Sequence, residues 1–228
     1  MKYKNVKEGR FISRPNRFIA KVEIDGAEET VHVKNTGRCK ELLVPGCRVF
    51  LERSDNTNRK TLYDLVAVEK EELLINMDSQ AVNDAAEEWL KKGYLFSPNA
   101  TVKREVTHQR SRFDFYIEDG ERKCFLEVKG VTLEKDGRAL FPDAPTERGV
   151  KHLNHLKELC GEGYEAAVLF VIQMKGIKSF SPNDEMHPEF GNALRAAKDV
   201  GVKVIAMDCS VERDGFEIDE KVKVLLRD

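Results

Sequence analysis

No apolar run in this chain approaches the roughly 20 residues that a membrane-spanning helix requires, so a helical membrane protein is excluded. The opening stretch Met1 to Arg10 is charged and has no apolar signal-peptide core, and the expectation is a cytoplasmic protein with no membrane partner. Cysteine is sparse. Cys39, Cys47, Cys124, Cys160 and Cys209 are scattered and odd in number, with no CxxC pair and no Cys/His cluster at zinc-ligand spacing. A disulfide framework and a structural zinc site are therefore not expected, and the thiols read as reduced and structural. Internal repeats and low-complexity segments are also missing, which removes solenoids and disordered tails from consideration.

What remains is an ordinary globular composition: 228 residues, 41% apolar and 34% charged, enough for one large domain or two small ones. The net charge of −2 conceals an asymmetry. Residues 1–60 hold 14 Lys and Arg against 8 Asp and Glu, whereas the other 168 hold 24 against 32. The first part suits a polyanion; the second suits cations, or is simply an acidic surface.

The first 77 residues read as short strands: Arg17–Ile24 and Thr30–Lys34 around an Asp25-Gly26 turn, then Cys47–Glu52, Thr61–Glu69 and Leu73–Met77. Gly37 to Leu43 is long enough for one helical turn. Five short strands with a small insert predict a closed barrel, for which an OB-type barrel is one solution. Val82, Ala85, Ala86, Trp89 and Leu90 recur at helical spacing and Gly93 stops the helix, which places a domain boundary near residue 80. Strands are expected at Thr101–Thr107, Arg112–Glu118 and Arg122–Thr132, a helix at Glu147–Cys160, a buried strand at Ala166–Met174, a helix at Pro188–Val200 and a strand at Val202–Asp208. The predicted order after residue 80 is α-β-β-β-α-β-α-β, an α/β (α+β) domain.

Period-two alternation predicts Phe113, Phe115 and Ile117 on one face of their strand, with Asp114 opposite. In Leu126-Glu127-Val128-Lys129 it puts Glu127 and Lys129 together on one face. If Asp119-Gly120 closes a hairpin, two carboxylates and an amine converge. Mg²⁺ (or Mn²⁺) prefers oxygen ligands and often takes only one or two carboxylates. It polarises phosphoryl groups and acidifies water, while a neighbouring lysine positions the water or stabilises phosphate charge. The same spacing also fits an exposed cross-strand salt-bridge patch. The surrounding element order favours the chemistry, because it resembles the restriction-endonuclease-like PD-(D/E)xK core. Glu105, one strand earlier, stands where that superfamily often has a further acidic ligand. Asp143, Thr146, Arg148 and His152 follow closely, and Arg148 and His152 share a helix face, suited to a phosphate. A surface ion pair for Arg148 and a partly buried helix histidine for His152 remain alternatives. Gln173 ends the buried strand, as site-lining polar residues often do.

Longer motifs then resemble the sugar fermentation stimulation protein A family over nearly the whole chain: Arg14-Pro15-Asn16-Arg17-Phe18, Val31-His32-Val33-Lys34-Asn35-Thr36-Gly37-Arg38, Ser111-Arg112-Phe113-Asp114-Phe115, Glu127-Val128-Lys129, and Phe141-Pro142-Asp143-Ala144-Pro145-Thr146-Glu147-Arg148-Gly149-Val150-Lys151-His152. The resemblance implies an OB-like barrel at 1–80 and a PD-(D/E)xK nuclease-like domain at 81–228. It further implies DNA as partner, a regulatory link to sugar (maltose) metabolism, and an acidic site of Glu105, Asp114, Glu127 and Lys129. One departure is that Ile75 to Asn83 lacks the proline found after the barrel in many members. Arg14, Arg17 and Arg38 are guanidinium donors suited to phosphate. Phe11 and Phe18 either stack on bases or fill the core, and for Phe18 the flanking apolar alternation favours the core. His32 reads equally as site or structural histidine. Three functions fit: a Mg²⁺-dependent nuclease, a non-catalytic DNA-binding regulator that keeps a nuclease-like fold, and, with no recognisable sugar pocket to support it, a sugar sensor. Oligomeric state is open.

Overall fold

The computed structural model describes every residue except Thr36, Thr57 and Asp228. The chain begins with β1 (Val6–Asn16), β2 (Ile19–Ile24), β3 (Ala27–Val33), β4 (Arg48–Arg53), β5 (Tyr63–Lys70) and β6 (Leu73–Asn76). Antiparallel ladders join β1 to β2, β2 to β3, β1 to β4 and β4 to β5, and a parallel pairing of β3 with β5 closes the ring. The result is a five-stranded OB barrel with β6 added outside, around a core of Val22, Val31, Val49, Leu51, Leu65 and Val68. Strand β1 is absent from the expected set. Only Gly9 and Phe11 of its residues are buried, so it carries almost no apolar alternation. Gly9 is needed where β1 passes from one neighbour to the other, because a Cβ there would lie 2.7 Å from Val22 Cγ1 and 2.8 Å from the Glu23 carbonyl. The expected helical turn is a single one, with Leu43 N donating to Cys39 O at 3.0 Å.

The second half comprises α1 (Val82–Lys91), β7 (Thr101–His108), β8 (Ser111–Asp119), β9 (Arg122–Val131), β10 (Leu133–Lys135), β11 (Arg138–Phe141), α2 (Glu147–Gly161), β12 (Glu165–Ile172), β13 (Ser179–Pro182), α3 (Pro188–Asp199), β14 (Lys203–Glu212), β15 (Gly215–Lys221) and β16 (Lys223–Val224). A mixed sheet runs β15-β14-β12-β9-β8-β7, and β10, β11, β13 and β16 form a smaller second sheet. The expected helices and strands are present. The β10–β11 hairpin, β13, β15 and β16 were not anticipated, because each is short or interrupted by charge. On β12, Val168, Phe170 and Ile172 pack with α2 and α3, while Ala167, Leu169 and Val171 pack with α1 on the other face. Residues buried on both faces produce the continuous apolar run seen in the sequence. Residues Met1–Tyr3 lie against the second half, with Tyr3 N donating to Asp214 O at 2.7 Å. Among the described residues no helix is long and apolar enough to cross a membrane, and all five cysteines are free thiols.

His155 of α2 is wholly buried (0% exposed) among Phe113 and His108, and neither ring nitrogen has a hydrogen-bond partner. Burial, then the Arg110 charge, lowers its pKa from the ordinary 6.5, against the pull of Glu158 and Glu162. Above 6.5 folded and unfolded chains both hold it neutral; as pH falls, the unfolded chain takes the proton first and stability drops. Denaturant titrations should therefore show an acid-side loss beginning near pH 6.5. His155→Leu should reduce that loss and add about 1–3 kcal/mol by removing buried unsatisfied nitrogens. An unchanged pH profile in the variant would refute the assignment.

Candidate active site

The edge strand β7 and its neighbour β8 are irregular where Glu105 and Asp114 sit. Strands β7 and β8 keep one register, yet the step between Arg104↔Phe115 and Val106↔Phe113 is skipped. Glu105 there has φ of 55°, a left-handed conformation that non-glycine residues seldom adopt. Phe113 faces α2, with its ring 5.9 Å from His152 and 5.1 Å from His155. Phe115 and Ile117 instead pack with α1. The expected single face for Phe113, Phe115 and Ile117 is thus corrected: the apolar face changes side at Asp114.

The β8–β9 ladder ends at Phe115↔Leu126, and the Asp114 carboxylate occupies the gap beyond. Its Oδ2 accepts from Val128 N at 2.8 Å and its Oδ1 from Asn83 Nδ2 at 2.9 Å. Asn83, in the first turn of α1, was not anticipated; its one legible signal is a polar residue at the start of the helix that follows the barrel. On β9 the alternation holds. Leu126 and Val128 pack with α1, and Glu127 points to α2 with Lys129 beside it. Glu127 is 3% exposed. Its Oε1 accepts from Lys129 Nζ at 2.6 Å and from His152 Nδ1 at 2.5 Å. Its Oε2 is buried with no partner. Arg148 Nε donates to His152 Nε2 at 3.4 Å, which leaves Nδ1 to carry the proton toward Glu127.

The two carboxylates are driven apart electrostatically. Burial, then the Glu127 charge, raises the Asp114 pKa. Burial pushes Glu127 up too, but the His152 hydrogen bond and the Lys129 charge outweigh it and hold Glu127 below its ordinary value. The site therefore combines one comfortable anion with one that gains from a further positive charge.

Other expected members are elsewhere. Glu105 does not join the acidic pair: its carboxylate points outward to the exposed Arg112, 2.8 Å from Nε. Thr146 caps α2, its Oγ1 accepting from Gly149 N at 3.1 Å. Asp143 accepts from Arg38 N at 3.1 Å, tying the loop before α2 to the barrel; Gly37 is required there, since a Cβ would lie 2.2 Å from Asp143 Oδ2. Arg14 takes a scaffold position, its guanidinium turned onto the backbone of the barrel. Its guanidinium donates to the carbonyls of Asn35 (2.7 Å), Arg38 (2.8 Å), Gly37 (2.9 Å) and Arg17 (2.9 Å). Arg38 is exposed, and Arg17 lies 4.7 Å over the Phe18 ring. Phe11 is core, but Phe18 is 44% exposed, against expectation, because it sits in the turn between β1 and β2. His32 Nδ1 donates to the Asp64 carboxylate at 3.0 Å, and Gln173 donates to Asn76 Oδ1 at 2.7 Å between the two halves. Arg14→Ala should cost about 2–3 kcal/mol by stranding several carbonyls, measured by urea unfolding. A loss below about 0.5 kcal/mol, the level of an ordinary surface change, would contradict the scaffold role.

Among the described residues no group of three His, Cys, Asp or Glu is placed to hold a metal ion, so protein ligation would rest on Asp114 and Glu127. Two family models match the chain: the SfsA N-terminal OB domain over residues 12–77 and the sugar fermentation stimulation protein RE domain over residues 80–215. A sugar fermentation stimulation protein homolog of Desulfitobacterium hafniense is 59% identical over 226 residues, 99% of each chain. One of Clostridium beijerinckii is 54% identical over 99% of this chain and 100% of its own. The solved structure of Pyrococcus furiosus SfsA in complex with Ca²⁺ superposes with a TM-score of 0.87 at 25% identity, covering 99% of this chain and 98% of that one. With both halves matched in order and curated relatives aligned end to end, this chain belongs to the sugar fermentation stimulation protein (SfsA) family.

Proposed function

We propose that the chain is a Mg²⁺- or Mn²⁺-dependent nuclease acting on DNA, with a restriction-endonuclease-like second half and a barrel that contacts the nucleic acid. The observation that carries this reading is the Glu127 Oε2, a buried carboxylate oxygen with no partner, beside Asp114, whose pKa is raised by burial and then by the Glu127 charge. Hard oxygen donors in this number suit Mg²⁺, which leaves its other positions to water and phosphate. The Ca²⁺ complex of the Pyrococcus furiosus relative supports a divalent-cation site in this fold.

The residues divide the work. Asp114 and Glu127 would hold the cation, which supplies Lewis-acid polarisation of the phosphodiester and acidifies water. Val128 N and Asn83 hold Asp114 in place, and His152 does the same for Glu127. Lys129 orients the attacking water and offsets charge on the phosphate oxygens as the new P–O bond forms and the ester P–O bond breaks. Arg148, exposed at the start of α2, meets a phosphate with the guanidinium nitrogens not used on His152. Arg17 and Arg38, with Phe18, form a basic and aromatic rim on the barrel suited to a nucleic-acid strand. Regulation of sugar (maltose) metabolism would follow from action on DNA in the cytoplasm.

Purified protein incubated with single-stranded, duplex and structured DNA, and with RNA, should cleave DNA only with Mg²⁺ or Mn²⁺. Cleavage that persists in Asp114→Ala and Lys129→Ala would sink the assignment. Metal-independent, salt-sensitive DNA binding without cleavage would replace it with a non-catalytic regulator.

A further inference from the structure

A cavity of 620 Å³ opens at the far end of α1 from Asn83, between that helix, the end of α3 and the first residues of β14. Its volume falls within the range of small-molecule sites. The floor is apolar: Trp89, Leu95, Val204, Ile205 and Met207 line it. Strand β15 pairs with β14 only from Met207 onward, so the backbone edge of the first β14 residues has no β15 neighbour and the cavity opens beside it. The aromatic wall is set by local backbone chemistry. Helix α1 ends at Lys91 and Gly93, at φ of 85°, reverses the chain, as glycine does after helices. Tyr94 is thereby stacked back on Trp89, ring centroids 6.2 Å apart and 29° between planes. Tyr94 is nonetheless 69% exposed, which leaves its outer face without a partner.

The rim is cationic. Lys198, Lys203 and Lys221 border the cavity, with Asp219 as the single acid. Asp219 is held by Lys175 at 2.9 Å and Lys203 by Glu165 at 2.6 Å. Lys198 and Lys221 pair with no carboxylate among the described residues. Lysine stems lie well along apolar surface while their ammonium groups reach outward. An apolar, aromatic floor under unpaired ammonium groups selects one chemistry: a planar ring that stacks and buries apolar area, joined to an acidic group that meets the rim.

We propose that this cavity is a binding site for a small aromatic anion, an aryl carboxylate or sulfonate, separate from the carboxylate–lysine site. Trp89 is the only tryptophan in the chain, so its emission reports occupancy directly. Titration of the full-length protein with anilinonaphthalene sulfonate should quench Trp89 with energy transfer to the probe, saturably and at one site. Benzoate or naphthoate should displace the probe. Lys221→Glu and Tyr94→Ala, both at exposed positions, should each weaken binding about tenfold or more while the thermal midpoint stays near wild type. Added salt should weaken the wild type and have little effect on Lys221→Glu. Absence of saturable quenching, or equal binding by both variants and wild type, overturns the proposal.

Discussion

Lys129→Ala should lower metal-dependent DNA cleavage by about a hundred- to ten-thousand-fold, the range for losing a positioned group that moves a proton or meets developing charge. The expectation rests on placement. Lys129 Nζ is 2.6 Å from Glu127 Oε1 and its side chain is 18% exposed, so it stands between a buried carboxylate and the open side of the site. Folding should survive, because Glu127 keeps His152 as a partner at 2.5 Å. DNA affinity at fixed salt should fall little, because one ammonium is a minor part of a phosphate-binding surface. Single-turnover cleavage and fluorescence-anisotropy binding separate the two effects. A rate within threefold of wild type would place Lys129 outside the chemistry, and a rate lost only in proportion to affinity would make it a binding residue.

Glu127→Ala should show the largest combined effect. It strands the His152 Nδ1 proton and the Lys129 ammonium around a buried space, and breaking a buried ion pair from one side costs about 3–5 kcal/mol. It also removes half of the proposed cation ligands. Its pH dependence has a definite sign. The folded-state pKa of Glu127 is lowered from 4.5, so its contribution is present above 4.5 and fades as pH drops through the folded value. The stability gap between wild type and variant should therefore narrow on acidification. Urea denaturation at neutral pH and at successively lower pH measures it. A gap that widens as pH falls would mean that His152 and Lys129 do not stabilise the carboxylate.

Asp114 behaves in the opposite sense. Its raised pKa means that protonation competes with a cation at higher pH than for an exposed aspartate, so metal affinity should begin to fall earlier on the acid side. Asn83 and Val128 N limit that effect by bonding the charged form.

How far these features could be read before folding depends on the residue. Alternation on β9 was sufficient for Glu127 and Lys129, because Leu126 and Val128 on the other face leave no second register that buries them. Alternation does not predict the faces of β8, because its apolar side changes at Asp114, opposite the left-handed Glu105 of β7, and no glycine or asparagine marks either position. The same irregularity removes Glu105 from the acidic group. Arg14 and Asp143 show a different limit. A guanidinium suits phosphate and a carboxylate suits a cation, but carbonyls of Asn35, Gly37 and Arg38 meet Arg14 and a backbone N–H of the barrel meets Asp143, which only the closed tertiary structure brings about. Strand β1 was missed for want of apolar residues; its place is set by Gly9 and by edges that β2 and β4 offer to its backbone.

Diffraction from a crystal soaked in Mn²⁺, with data collected at the manganese absorption edge, addresses the central claim without depending on turnover. An anomalous peak bonded to the Asp114 carboxylate and Glu127 Oε2, absent from Asp114→Ala, is the predicted result. A map with no peak between these carboxylates, at a Mn²⁺ concentration that supports cleavage, would contradict it.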